Sequence, residues 1–280
     1  MKSFFLLILF SSSIYYSQED LLSFIDDEEP ASLPIQSIFK ATRIVNAQSV
    51  EMARSKTLEF IIFHRFGSMS NGFYDLYGLD EASVRFDLSY GLNENISLGF
   101  GRSSYLKTYD FFYKLKLLSQ KSKPSYSFAS VVLFSKLEIA TINKTLEFKN
   151  RLIYDVQLLI ARKINQNFSI QIMPTVIHKN LIQTEDISNN LFSLGMGGRA
   201  KVTKRVSFNI DTFIPLGNRR TSFNQSWGLG CDIDTGGHVF QLLITNAQGT
   251  FESSYIENAT GNIKDIEIFF GFNITRSFII

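Results

Sequence analysis

Hydrophobic and polar residues alternate along most of the chain. In the segment 84–90 (VRFDLSY) the even positions are apolar and the odd positions are polar. The segments 96–101 and 206–211 repeat this pattern, and it returns over 266–275 near the C-terminus. A period of two with one apolar face is typical of β-strands. Similar segments begin near residues 58, 107, 127, 151, 167, 191, 222 and 238, which brings the prediction to about twelve strands.

The length of the predicted strands separates two kinds of β protein. They run to roughly 9–13 residues, whereas the strands of soluble domains peak at about 5–6. A tilted strand needs roughly 9–11 residues to cross a bilayer. We therefore predict an all-β fold, a single transmembrane antiparallel β-barrel of about 12 strands over residues 58–280. Alternation alone does not decide which face is outside, so a large secreted soluble β protein stays open as the alternative.

The predicted connections differ in length in a regular way. The longer ones, 68–81, 179–190 and 246–264, follow odd-numbered strands, and most short ones follow even-numbered strands. Transmembrane barrels combine short turns at one mouth with long loops at the other. We therefore expect the three longer connections to face the outside of the cell. The link at 103–106 is short and departs from this pattern.

Three arginines lie on the apolar face of predicted strands, each close to a strand end: Arg102, Arg162 and Arg276. A lipid-facing arginine costs about 2–4 kcal/mol at the bilayer midplane but only about 0–1 kcal/mol near the interface. Their placement therefore favours a membrane barrel over a soluble one.

The first 57 residues lack the strand pattern. Residues 1–17, in which Lys2 precedes an apolar run, predict a cleaved signal peptide. Residues 18–57 form a periplasmic segment that either packs loosely under the barrel or folds back into the lumen as a plug. Its middle predicts a short helix with Ile44, Ala47 and Val50 on one side.

The polar face of the strands carries charges of both signs, which suits a wet lumen. We expect passive passage or binding of a small polar solute there. A pore selective for one ion type would show a ring of one sign, so strong charge selectivity is not expected. The alternative is a structural or partner-binding barrel closed by its N-terminal segment. The lumen candidates, each with a structural salt bridge as its plainer interpretation, are Arg85, Asp87, Lys114, Asp155, Arg199, Asp211 and Asp232.

The amino-acid composition excludes several structural and functional classes of protein. The 27 Phe and 11 Tyr residues exclude a disordered chain. The formal net charge of +2 gives no electrostatic basis for a nucleic-acid partner. A single cysteine, Cys231, excludes an intrachain disulfide and a cysteine-rich metal site. The expected partners are therefore outer-membrane lipid and the solute, with the oligomeric state left open.

Several strings resemble a β-barrel family found in Bacteroidota, the domain-of-unknown-function family numbered 5777. The resemblance spans most of the chain beyond residue 38 and implies a barrel of the outer-membrane type with no assigned activity and no catalytic residues to transfer. It assigns no role to Cys231. The strings are FKATRIVNAQSVE (39–51), FHRFG (63–67), LDEASVRFDLSYGL (79–92), GFGRSS (99–104), LLIARK (158–163), MPTVIHKN (173–180), DIDTGGHVFQLLITN (232–246) and FGFNITRSF (270–278).

Candidate chemistry outside the lumen is sparse. His64, His178 and His238 all fall on the apolar phase of their strands and are not expected to converge on a metal ion. An outer-membrane lipid hydrolase needs a serine held against one of these histidines, and no nucleophile motif flanks them. The segment 232–237 (DIDTGG) predicts a tight turn rather than a calcium site. We therefore expect no catalytic residue, no metal site and no cofactor.

Overall fold

The computed structural model describes residues 33–35, 37–122, 127–182, 188–217 and 224–280. Twelve antiparallel strands form one closed barrel in which each strand pairs with its neighbours in sequence. Pairing between the first and last strands, from Thr57 opposite Ile279 to Arg65 opposite Gly271, closes the sheet. The strands are β1 (Thr57–Ser68), β2 (Ala82–Gly91), β3 (Ile96–Ser103), β4 (Thr108–Leu118), β5 (Ser130–Ala140), β6 (Leu152–Lys163), β7 (Phe168–Lys179), β8 (Asn190–Lys201), β9 (Val206–Leu216), β10 (Ser226–Asp234), β11 (His238–Thr245) and β12 (Phe269–Ile279).

The apolar phase of the strands faces outward. On β2, Phe86 and Leu88 are 49% and 41% exposed, whereas Arg85 and Asp87 are 0% and 1% exposed. A barrel in water would place these residues the other way round. The predicted fold is confirmed. The outer surface of the barrel is apolar, as expected for a wall in contact with acyl chains.

Connection length distinguishes the two mouths of the barrel. The turn end carries the connections 92–95, 164–167, 202–205 and 235–237, together with the start of β1 and the end of β12. The loop end carries 69–81, 141–151, 180–189 and 246–268. Two connections reverse the trend, because 119–129 at the turn end is long and 104–107 at the loop end is short. Single 3-10 turns such as Tyr105–Lys107 and Phe148–Arg151 occupy the loop end.

The three outward arginines lie against aromatic rings near the mouths. The guanidinium carbon of Arg102 is 5.1 Å from the Tyr109 ring centre, and that of Arg276 is 4.9 Å from the Phe278 ring centre. Such cation–π contacts hold an arginine at the membrane interface. No helix within the described part of the chain is long and apolar enough to cross a membrane.

The last strand begins later than the alternation predicts. Ile266 closes a 3-10 turn (Ile263–Asp265) with a φ of 57°, in the left-handed region, and β12 starts at Phe269. The alternation of apolar and polar side chains continues across the turn. It did not predict the turn, because the pattern carries no information on backbone torsion.

Candidate functional site

The lumen is occupied by the chain's own N-terminal segment. Residues 37–54, called the plug below, enter at the turn end, where the Ile35 amide donates to Gln120 O at 2.7 Å. They leave through the same mouth, where the Lys56 amide donates to Gly91 O at 2.8 Å. Within the barrel the plug doubles back at Ile44–Ala47. The predicted helix is wrong, because the described part of the plug is a bent hairpin without helical turns.

Asp211 of β9 holds the tip of the plug. Its Oδ2 accepts the backbone N–H groups of Val45, Asn46 and Ala47 at 3.0, 2.8 and 2.8 Å. Three converging amides form an anion-binding nest. A buried carboxylate is costly without such donors, so the tip and Asp211 stabilise each other.

Lys114 of β4 holds the base of the hairpin. Its Nζ donates to the backbone carbonyls of Thr42, Ser49 and Glu51 at 3.2, 2.9 and 2.9 Å. These three carbonyls use all three donors of the ammonium group. Arg199 of β8 contacts the entrance of the plug, where its Nη1 donates to Ile38 O at 3.1 Å.

Glycines on the inward phase make room for the tip. A Cβ on Gly228 would lie 2.8 Å from Val45 Cγ1, and one on Gly197 would lie 2.5 Å from Ile44 Cδ1. Both distances are shorter than van der Waals contact. The wall therefore has a seat shaped for these two plug side chains.

A second segment fills the lumen from the loop end. Residues 246–259, called the inward loop, include Phe251, Tyr255 and Ile256, all buried, and the π-turn Ser253–Glu257. The expectation that the connection 246–264 faces outward is wrong for this part. Its apolar side chains pack against inward-facing wall residues such as Phe213, whose ring centre is 5.6 Å from that of Tyr255.

Buried charges join the plug to the inward loop. Arg43 Nη1 and Gln48 Nε2 both donate to Glu252 Oε1, at 3.0 and 2.9 Å. Lys136 of β5 also forms a salt bridge with Glu252. Burial by itself raises the pKa of Glu252, but the charges of Lys136 and Arg43 outweigh it and hold the pKa below its usual value. The bridge between the two segments therefore stays ionised at ordinary pH.

The other predicted lumen residues lie around this cluster. Arg85 Nη2 donates to Asp87 Oδ2 and Asp110 Oδ1, both at 2.9 Å. Asp155 accepts from Gln157 Nε2, and Asp232 accepts from Gln241 Nε2, both at 2.8 Å. All seven predicted side chains are buried inside the barrel. They contact the protein's own segments and each other, and a role toward a solute stays a prediction.

Sequence reasoning missed several residues of this network. Lys136 and Glu138 lie on the inward phase of β5, but Val132 and Phe134 occupy the same phase and obscure the polar pattern. Arg43 and Glu252 belong to segments without strand periodicity. Apolar residues inside a predicted loop, such as Phe251 and Tyr255, were the available signal that 246–259 is buried.

Cavities remain at both mouths. Two of 450 and 640 Å³ at the turn end lie on either side of the plug and have mixed polar walls. One of 320 Å³ opens at the loop end. Midway, next to Lys114 and Asp87, the packing leaves a cavity of 10 Å³, about enough for one water molecule. Between these cavities, apolar residues of the plug and the inward loop pack against the barrel wall.

The histidines and the 232–237 turn lie apart from this network. His64 stacks on Phe272 with ring centres 4.9 Å apart, and His178 Nδ1 lies 2.7 Å from Asn190 Oδ1. His238 begins β11 at the turn end. The segment after Asp234 is a tight turn in which Gly236 has a φ of 90°. Across the described ranges, no group of three His, Cys, Asp or Glu side chains is placed to hold a metal ion.

Comparisons with known proteins agree with this architecture. The profile of a family described as a membrane bound beta barrel domain (DUF5777) matches residues 39–278. The structure of the NanC porin is similar with a TM-score of 0.53 and 10% identity, over 80% of this chain and 100% of that one. The KdgM porin gives a TM-score of 0.48 at 9% identity, over 79% and 99% of the two chains. An outer-membrane channel from Pseudomonas putida F1 gives 0.48 at 12%, over 86% and 100%. At such identities the similarity to NanC shows the fold alone, and among curated proteins none matches the chain.

Proposed function

The chain belongs to the family of membrane-bound β-barrel domains numbered DUF5777, and from that premise we propose that it is an outer-membrane pore for small polar solutes, held closed by the plug. The resting state is the filled lumen. Opening moves the plug out through the turn end, displaces the inward loop that is bonded to it through Glu252, and leaves the barrel wall in place.

The way in which the plug is attached supports this proposal. Described backbone pairing between the N-terminal segment and the barrel is confined to the turn end, at Pro34 with Lys121 and Ser55 with Gly91. Deeper in the lumen, wall side chains such as Asp211 and Lys114 make the contacts. Each of the twelve strands pairs with its two neighbouring strands, so removing the plug breaks no strand pairing.

The emptied lumen would suit a polar solute without strong charge preference. Its wall would expose three cations and four carboxylates from the predicted set: Arg85, Lys114, Arg199, Asp87, Asp155, Asp211 and Asp232. Buried charges are costly when their partners leave, so water or solute must replace the plug as it moves. The proposal places lipid around the barrel and assigns residues 1–17 to a signal peptide.

A barrel that stays closed and serves a structural or partner-binding role is the second candidate. The full packing of the inward loop, with Tyr255 and Ile256 buried, favours it. No catalytic role is assigned, and the lipid hydrolase of the sequence analysis has no serine hydrogen-bonded to a histidine among the contacts of the described residues.

A reversible lock on the plug tests the proposal. Cysteines replacing Val45 and Gly228, in a Cys231→Ser background, lie where the native side chain of Val45 meets the wall, within reach of a disulfide. In planar bilayers we expect no conductance from the oxidised protein and discrete channel openings after reduction. The Val45→Cys single variant, which cannot lock, should conduct under both conditions.

Deletion of residues 37–54 provides the complementary measurement. A barrel that lacks the plug should conduct continuously, because the turn end is then empty and the inward loop, without its bonds to Arg43 and Gln48, is free to leave the lumen. If neither the reduced nor the deleted protein conducts while both keep a heat-modifiable folded band, the protein is a closed barrel. Hydrolysis of phospholipid by the folded protein would instead support the enzyme alternative.

A further inference from the structure

The cavity at the loop end differs from those at the turn end. Its volume of 320 Å³ is at the lower limit of the roughly 300–1,000 Å³ typical of small-molecule sites. Leu106, Ile142 and Leu146 reach it from the loops, and Ala140 and Ile153 reach it from the inward phase of β5 and β6. The wall of this cavity is therefore apolar along one side, unlike the mixed polar walls of the cavities at the turn end.

Charged groups lie at one side of this apolar cavity. Lys179 and Arg151 line it together with a single carboxylate, that of Glu257. Lys179 Nζ forms a salt bridge with Glu257 Oε2 at 2.5 Å. Arg151 uses Nε and Nη2 to bind the backbone carbonyls of Lys144 and Leu146, bonds that do not use its Nη1. Among the residues that the structure describes, the lining of the cavity thus has one positive charge in excess.

From this arrangement we infer that the loop-end cavity is a binding site for small organic anions with an apolar body. The apolar wall would take the body of the ligand, and Lys179 and Arg151 would take a carboxylate head. Charged hydrogen bonds to such a head are roughly twice as strong as neutral ones. The volume limits the ligand to about the size of a substituted aromatic acid.

The floor of the cavity belongs to the inward loop. Phe251 and Ser253 line the cavity, and Glu252 between them bonds to Arg43 and Gln48 of the plug. A bound ligand therefore touches both neighbours of the residue that joins loop and plug. This link to opening rests on the proposed pore, whereas binding itself does not.

Titration calorimetry of the folded full-length protein in detergent tests the site with three probes. Phenylacetate carries both required parts, 2-phenylethanol lacks the charge, and acetate lacks the apolar body. We expect saturable binding of phenylacetate, roughly tenfold weaker binding of 2-phenylethanol and none of acetate. Titrations into empty micelles remove the heat of partitioning.

Variants at exposed positions locate the binding. Leu106→Asn and Ile142→Asn place a polar group in the cavity wall and should weaken phenylacetate by about tenfold. Ile263→Asn changes an equally exposed loop residue outside the cavity and should leave binding unchanged. Lys179→Gln should bring phenylacetate down to the affinity of 2-phenylethanol.

Two results would overturn the site: no saturable binding of phenylacetate, or equal binding by the Leu106→Asn and Ile263→Asn variants. The outcome is independent of channel activity. Binding without conductance would remove the proposed pore and keep the site, whereas conductance without binding would do the reverse.

Discussion

At the scale of single residues, opposite charges on the wall hold opposite groups of the plug backbone. Asp211 binds amide groups at the tip, and Lys114 binds carbonyls at the base. Neither contact involves a side chain of the plug. The plug sequence can therefore vary at these points, provided that its backbone keeps the same bend.

Replacing Asp211 by alanine should loosen the tip of the plug. Three buried N–H groups would lose their acceptor, and an unsatisfied buried group costs about 1–3 kcal/mol. The plug's opening free energy can be measured from the labelling rate of a cysteine at Ala47 by a polar maleimide, in a Cys231→Ser background. We expect a decrease of about 3 kcal/mol or more, because each of the three groups costs at least about 1 kcal/mol. Asp80→Asn, an exposed change at the loop end, is the control, and equal labelling of the two variants would contradict the role of Asp211.

Glu51 should make plug seating depend on pH. Burial raises the pKa of Glu51, while the Phe39 amide and the charges of Lys114 and Lys116 lower it less strongly. The seated plug thus prefers the protonated acid. Its contribution is full below the ordinary pKa of 4.5 and is lost as the pH rises through the raised value.

The same labelling measured from about pH 4 to pH 8 checks this sign. Labelling at Ala47 should become faster with rising pH, and Glu51→Gln should make the profile less steep. Glu94→Gln at the turn-end rim should keep the slope of the parent. A parent profile with slower labelling at higher pH would refute the assignment to Glu51.

At the scale of elements, each strand has an outward face and a face toward the lumen. The surroundings of these two faces constrain the sequence to different degrees. The outward face has uniform surroundings, so its apolar and aromatic residues repeat without interruption on β2 and β4. The inward face meets the plug, the inward loop or a mouth, and so carries Lys114 next to Phe112 on β4.

The glycine seat predicts a specific pair of compensating changes. Gly197→Ala should force Ile44 out of place, because the new Cβ would lie 2.5 Å from Ile44 Cδ1; the cost is about 1–3 kcal/mol for overpacking, seen as faster labelling at position 47. Adding Ile44→Val, which removes that Cδ1, should restore slow labelling. Gly198→Ala, on the outward face of β8, is the control. Failure of the double variant to recover would show that size at this contact is not what seats the tip.

Membrane contact predicts a gradient of tolerance along β9. Ile210→Arg places a charge on the outward face well inside the strand and should cost about 2–4 kcal/mol. Val206→Arg, at the first residue of the same strand, should cost about 0–1 kcal/mol. Urea unfolding in lipid vesicles measures both. Equal costs at the two positions would argue against a bilayer around this face.

At the scale of the whole molecule, the sequence predicted the wall better than its contents. Twelve strands and their two faces follow from alternation, and strand length with the placement of Arg102, Arg162 and Arg276 favours the apolar face as the outer one, where lipid selects side chains by one property at every position. The plug and the inward loop are selected by their fit to particular wall positions, such as Ile44 against Gly197. Such fits follow no sequence period. The lumen candidates could be identified because they lie on the polar side of predicted strands, whereas Arg43 and Glu252 lie outside the strands and were missed.

The two lumen segments should be energetically coupled through Arg43 and Glu252. A double-mutant cycle of Arg43→Met and Glu252→Gln, read by labelling at position 47, should give a coupling energy of about 0.5–3 kcal/mol. Each single change removes one of the partners of a buried charge, so the double variant should be less damaged than the sum of the two. Additive effects would mean that the plug and the inward loop move independently.

The seam between β1 and β12 sets the order in which this protein is assembled. It joins the first strand to the last, so the cylinder stays open until β12 is available to pair with β1. Residues 37–54 directly precede β1 in the chain. We expect the growing sheet to curl around them, so that the stopper is enclosed during biogenesis instead of being threaded through a finished ring.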